Sequence, residues 1–333
     1  GDPLHSRPLP INYGAVGDYT EDNQAIYIAF GSNDGFMHFV KNTDSGTPGA
    51  ESGEEVWAFM PQEVMDELPT LEANSLGTGH PYLVDGSPTA YVEGRFIDRA
   101  IDGEAVYLYF GLRRGGKAYY AMDISDPEAP ELKWKITKSG DFSELGYTFS
   151  DPVVGMMRDG TAAKPIVMFG GGYDMNKDRR VAEDELDEDS MDDNEGNALY
   201  IVDGETGALI WKATGDTEQS NSSSVFVNED MRDSIPSKVA ALDSDGDQII
   251  DRIYVGDTGG RVWRADINGE DTSTWTMTLL ADVGRHYDAT IANDRRFFHP
   301  PDIVQHKDNS AYDAVIMGSG CLLYTSPSPR DSC

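Results

Sequence analysis

Asp243, Asp245, Asp247 and Asp251 are set two to four residues apart in the run Asp243-Ser-Asp-Gly-Asp-Gln-Ile-Ile-Asp251, a spacing suited to holding a hard cation. Side chains at alternate positions converge on one point only where the backbone curls into a tight loop. A cation that takes several oxygens at about 2.3–2.6 Å is a physical reason to gather them. The spacing follows the first, third, fifth, seventh and ninth positions of an EF-hand-like loop. Asp243, Asp245, Asp247 and Asp251 supply carboxylates there and Ile249 its backbone carbonyl, and the expected ion is Ca2+. Two departures stand out. Gln248 takes the sixth position, where an EF-hand has Gly, and Tyr254 the twelfth, where it has a bidentate Glu. The run leads into Arg252-Ile-Tyr-Val-Gly256, which is strand-like rather than helical. The spacing therefore predicts a calcium loop between strands. The competing possibility is an acidic turn held by Asx hydrogen bonds, against which stands the repulsion of four carboxylates without a cation.

Such a loop needs strands to carry it, and the chain supplies them as a repeat. Runs ending in Gly recur at Ile26–Gly31, Val106–Gly111, Ile166–Gly170, Ile253–Gly256 and Val315–Gly318. A second apolar run follows, closing on Asp at Tyr119–Asp123, Leu199–Asp203 and Val262–Asp266, with Phe36–Phe39 in the first unit. A third run carries Trp57, Trp134, Trp211 or Trp275, expected as wedges between sheets whose indole N–H groups need partners. A feeder strand precedes each set, at Ser87–Val92, Asp151–Gly155, Lys238–Leu242 and Pro301–Val304. Four short strands per unit, repeating at intervals of roughly 60–85 residues, predict an all-β, quinoprotein-like β-propeller of four-stranded blades over residues 1–320. Four blades are complete and a fifth is partial, so the ring is expected to be truncated before closure. Residues 321–333 abandon the pattern and are expected to be a non-native read-through tail. The chain begins at Gly1 without Met or leader and is expected to be a piece of something longer.

Two loop regions are polar. The acidic excursion from Asp174 through Glu195 reads as a solvated loop, with Asp174, Asn176 and Asp178 as a candidate second cation site. Gly215–Ser224 reads as a surface linker.

Several of these runs resemble the C-terminal β-propeller of the PilC/PilY family, tip-associated factors of bacterial type IV pili. They are Gly1–Pro8, Gly31–His38, Tyr82–Pro88, Gly170–Asp174 and, most specifically, Ile235–Val239 through the aspartate run to Asp257–Arg264. The resemblance covers nearly all of residues 1–320. It implies export to the pilus tip, outer membrane or periplasm, with major or minor pilins and host or abiotic surfaces as partners. It also implies one calcium ion on Asp243, Asp245, Asp247, Ile249 and Asp251, tied to pilus extension and retraction, and a part in surface adhesion. The alternative is a dehydrogenase using pyrroloquinoline quinone, because Ala198–Trp211 also resembles quinoprotein repeats. Such enzymes often carry a vicinal cysteine pair beside the quinone, and residues 1–320 contain no cysteine; Cys321 and Cys333 are the two in the chain.

Composition narrows the partners. With 26 Lys and Arg against 59 Asp and Glu, the net charge is −33, which repels nucleic acid and anionic membranes. No apolar run approaches the ~20 residues needed to span a bilayer. His5, His38, His80, His286, His299 and His306 lack metal-ligand spacing and are expected to be hydrogen-bonding residues. No catalytic triad, Walker loop or dinucleotide fingerprint occurs, and no catalysis is expected.

Overall fold

Runs such as Val106-Tyr-Leu-Tyr-Phe-Gly111 are apolar on both faces and rich in aromatic and β-branched residues, the composition of strands buried on two sides. A computed structural model describes residues 2–46, 52–73, 80–93, 104–178, 192–284, 294–306 and 312–319. The first sheet runs in chain order through β1 (Leu9–Asn12), β2 (Ile26–Gly31), β3 (Met37–Lys41) and β4 (Glu55–Phe59). A short 3-10 turn, Gln62–Glu67, and the helix α1 (Leu68–Ala73) follow it. The second sheet is β5 (Thr89–Val92), β6 (Val106–Gly111), β7 (Ala118–Asp123) and β8 (Glu131–Thr137). The third is β9 (Val153–Asp159), β10 (Ala162–Gly170), β11 (Ala198–Asp203) and β12 (Leu209–Thr214), with β13 (Val225–Val227) added in parallel to β12. The fourth is β14 (Ala240–Leu242), β15 (Arg252–Gly256), β16 (Arg261–Asp266) and β17 (Thr276–Asp282). A two-stranded pair, β18 (Asp302–His306) and β19 (Tyr312–Ile316), follows. Four antiparallel meanders of four strands in chain order are propeller blades, so the all-β propeller expected from the repeat is the fold.

The chain divides into two compact units, Gly1–Thr137 with Glu205–Gly207, and Lys138–Gly204 with Ala208–Cys333. The first unit packs Met37, Phe39, Leu83, Leu108, Phe110 and Tyr120 into its core. The second buries Met168, Ile201, Trp211, Val255, Trp263 and Trp275.

The repeated glycine at strand ends has a steric cause. A Cβ on Gly31 would come within 2.3 Å of the carbonyl oxygen of Val84, and one on Gly170 within 2.2 Å of that of Ile235. In both places the chain approaching the next blade crosses against the bare backbone.

The tryptophans divide. Trp57 pairs with Phe39, Trp134 with Ala121 and Trp211 with Ile201, each beside a register shift in its ladder. Trp275 departs from the expected equivalence. It precedes β17, follows the 3-10 turn Thr272–Thr274, and donates its indole N–H to Gly269 O at 3.2 Å. Trp211 and Trp275 do meet edge-on with ring centroids 6.0 Å apart, and Trp57 donates to Pro127 O at 3.1 Å. The stretch read as a linker leads straight into β13, whose three residues are too few to show a period in the sequence.

Candidate metal centre

The aspartate run is the hairpin connection between β14 and β15. Leu242 pairs with Arg252, and Asp251 N–H closes the loop on Leu242 O at 2.9 Å. Within it, the carboxylates cap the backbone. Asp243 accepts from Gly246 N at 2.6 Å and Gln248 N at 2.7 Å. Asp245 accepts from Asp247 N at 3.0 Å, and Asp247 from Ile249 N at 2.9 Å. Gly246 and Gln248 both adopt positive φ, +87° and +76°. The tight turn that an EF-hand makes with Gly at its sixth position is thus made here with Gln248, at a cost in backbone energy.

These turns bring Asp243, Asp245 and Asp247 together, with one carboxylate oxygen from each within 4.8 Å of the others. Asp251 stands outside that trio. Its Oδ2 takes the amide of Ser244 at 2.7 Å and the hydroxyl at 2.6 Å, stapling the two ends of the loop. Ile249, assigned a carbonyl ligand, lies in the same loop with its N–H on Asp247. Two like charges about 4 Å apart repel by about 1 kcal/mol in bulk water and about 4 kcal/mol at an effective dielectric of 20. At Asp243 the slight burial works against the charge, and the Gly246 and Gln248 amides outweigh it and hold the carboxyl below its ordinary range. All donors in the loop are oxygens, a set that fits a hard ion such as Ca2+ or Mg2+ and not a thiolate-loving one. Asx bonding and convergence therefore coexist in one loop.

At the candidate second site, Asp174, Asn176 and Asp178 make local hydrogen bonds. Asp174 takes the amides of Asn176 at 2.9 Å and Asn194 at 2.8 Å, while Asp178 takes the Tyr173 hydroxyl at 2.8 Å. Most of the acidic excursion, 179–191, lies outside the described residues, as does the tail expected at 321–333. The end of the excursion is not solvated as expected: Asp193 and Glu195 are buried. Glu195 accepts from Lys138 at 2.6 Å.

Asp193 belongs to a buried charge cluster with no local sequence signal. Lys177 donates to Asp233 at 2.7 Å and lies 3.5 Å from Asp193, all three side chains at most 1% exposed. Asp193 also takes the Ser234 amide at 2.7 Å and the Thr258 hydroxyl at 2.8 Å. Asp257 accepts the Trp263 indole N–H at 2.8 Å. Burial first, and then the charge of Asp233, push the carboxyls of Asp193 and Asp257 up, with Lys177 opposing at Asp193. Two histidines act as expected: His5 pairs with buried Asp85 at 2.6 Å, and His38 bridges Asp34 and Glu55.

Against known proteins, the family model "PilY1 beta-propeller domain" matches residues 9–276. A type IV pilus biogenesis factor PilY1 of Pseudomonas aeruginosa is 29% identical over 96% of this chain and 27% of its own length. The same factor from a second strain of that species is 30% identical over 77% of this chain and 18% of its own. A Xylella fastidiosa homolog is 25% identical over 83% of this chain and 16% of its own. The chain spans about a quarter or less of the length of these relatives. The crystal structure of the Pseudomonas aeruginosa PilY1 C-terminal domain superposes with a TM-score of 0.59 at 24% identity. That match covers 91% of this chain and 54% of the solved one, and shows the shared fold.

Proposed function

The chain belongs to the PilY1 β-propeller family, and we propose that it is the calcium-binding propeller of a type IV pilus biogenesis factor. In this proposal the propeller regulates pilus extension and retraction and contributes to surface adhesion, exported to the cell surface and working with pilins rather than as an enzyme. The observation that carries the calcium assignment is the convergence of Asp243, Asp245 and Asp247 in one hairpin loop. A divalent ion there supplies positive charge that offsets the trio's repulsion. The chain's own residues do the positioning: backbone amides orient the carboxylates, and the Ser244–Asp251 staple keeps the loop closed. A proposed ligand set that mixes the carboxylates of Asp243, Asp245, Asp247 and Asp251 with the Ile249 carbonyl suits the looser coordination of Ca2+, and Mg2+, which demands tight octahedral geometry, is expected to bind less well.

Calcium calorimetry on the whole chain tests the assignment. Wild type is expected to bind, and Asp245→Ala to lose binding while keeping its circular dichroism. Absence of binding at millimolar calcium overturns it. For the pilus role, deletion of the locus followed by complementation with wild type or Asp245→Ala is the measurement. Restored piliation with wild type and altered retraction with the variant are expected.

A further inference from the structure

We propose that Arg158 is the resident counter-ion of the aspartate loop, and that a divalent ion enters by displacing its guanidinium from Asp247. This rests on the calcium assignment above and adds how that site is regulated. Arg158 lies on β9, 89 residues before Asp247, and donates through Nη2 to Asp247 Oδ2.

The meeting is built into the backbone. Ile250 N–H donates to Met156 O at 3.0 Å, fastening the loop to β9 two residues before Arg158. Ile250 also packs on Gly155, where a Cβ would come within 2.6 Å of Ile250 Cγ1. The strand thus lies close along the loop, and an arginine on it reaches the trio.

Charge gives the contact its meaning. The amides of Gly246, Asp247, Gln248 and Ile249 that cap the trio are neutral dipoles, whereas Arg158 brings a full positive charge. Asp247 Oδ1 takes the Ile249 amide and Oδ2 takes Arg158, so both oxygens of the fifth-position ligand are engaged. An ion on Asp243 and Asp245 reaches Asp247 through an oxygen that already has a partner. A guanidinium and a divalent ion on one carboxylate are like charges a few ångströms apart, and they repel. The Arg158 side chain is half exposed, 52%, and can leave to water with little burial penalty. Ion occupancy then releases the side-chain tie between the loop and the β9–β10 hairpin and leaves the Ile250–Met156 bond in place. Apparent affinity is the intrinsic one multiplied by the fraction of time Asp247 is free of Arg158.

The test is calcium titration by calorimetry on the whole chelator-stripped chain, for wild type, Arg158→Ala, Arg158→Gln and Asp245→Ala. Both Arg158 variants are expected to bind about 2–5-fold tighter than wild type, with the gap narrowing at high salt, and Asp245→Ala to lose binding. Thermal melting gives a second readout: in chelator Arg158→Ala melts below wild type, and saturating calcium raises its Tm by more. Arg158→Gln keeps the stem of the side chain and serves if the alanine variant folds poorly. Binding by the Arg158 variants alone supports the competition in its strongest form. Equal or weaker binding by these variants, with wild type still binding, overturns the counter-ion role and leaves the calcium assignment standing. No binding by any of them removes the calcium assignment and the counter-ion role together.

Discussion

Gln248 sits at φ +76° in the middle of the aspartate loop, a left-handed position that costs a side-chain-bearing residue about 1–2 kcal/mol. Part of that gain is offset in a Gly variant by its greater freedom when unfolded, about 0.5–1 kcal/mol. Gln248→Gly is therefore expected to stabilise the chain by about 0.5–1 kcal/mol in urea denaturation, and a loss of stability would show that the Gln side chain holds the turn. At the buried cluster the sign is opposite. Removing the ammonium of Lys177 leaves the buried Asp233 and Asp193 without their compensating charge. Breaking a buried pair from one side costs about 3–5 kcal/mol, so Lys177→Ala should lower the urea midpoint sharply. Lys177→Ala together with Asp233→Asn should recover part of the loss, because the second change removes a stranded charge.

At the level of strands, the glycine that ends β10 is fixed by a crossing chain. A methyl group on Gly170 would overlap the carbonyl oxygen of Ile235, a backbone atom that cannot swing aside like a side chain. Overpacking of this kind costs about 1–3 kcal/mol and occasionally more. Gly170→Ala is expected to destabilise by about 3 kcal/mol in chemical denaturation, and a change below about 0.5 kcal/mol would mean the crossing relaxes easily. The tryptophans allow a sharper comparison. Trp211 is almost fully buried against Trp275 and Phe226, whereas Trp57 is only partly buried and stacks on Phe39. Trp211→Ala is accordingly expected to cost about 3–5 kcal/mol and Trp57→Ala clearly less, measured by thermal melting.

Taken as a whole, the molecule carries a net charge of −33 and several carboxyls displaced in opposite directions. Burial pushes Asp193 up to about 6 and Asp257 up to about 7, the charge of Asp233 adding to it. A carboxyl raised in the folded state costs stability as it ionises, so these two contribute most below their unfolded value and lose it as pH rises to about 7. Glu144 goes the other way: burial works against its charge, and Lys212 and Tyr200 outweigh that and hold it low. Asp313 is held low likewise by Tyr254 and Arg252 against burial. Their contribution is present above the unfolded value and is lost as pH falls below about 4. In chelator, thermal stability should therefore rise from pH 8 toward pH 5 to 6 and fall below about pH 4. A maximum at or above pH 7 in calorimetric scans would contradict the burial of Asp193 and Asp257. Relief of overall self-repulsion acts in the same direction on the alkaline side, and added monovalent salt separates the two, since it screens surface charge far more than buried charge.

The sequence by itself determined the strands, because their apolar and aromatic runs repeat locally, and it determined the aspartate loop, because a hairpin connection is assembled from neighbours. Gly31 and Gly170 were legible as strand ends, but their cause lies in Val84 and Ile235, which only the folded chain brings against them. The equivalence of Trp57, Trp134 and Trp211 could be read from spacing, while the displacement of Trp275 depends on a 3-10 turn that no period announces. Only the tertiary structure decided that Asp251 turns to Ser244 and that Arg158 meets Asp247. Lys177, Asp193 and Asp233 likewise form one buried group across distant loops. Periodicity and spacing report what a residue does with its neighbours in the chain. Charges that compensate one another across tens of residues leave no such local trace, because their pairing is settled by which sheets pack together.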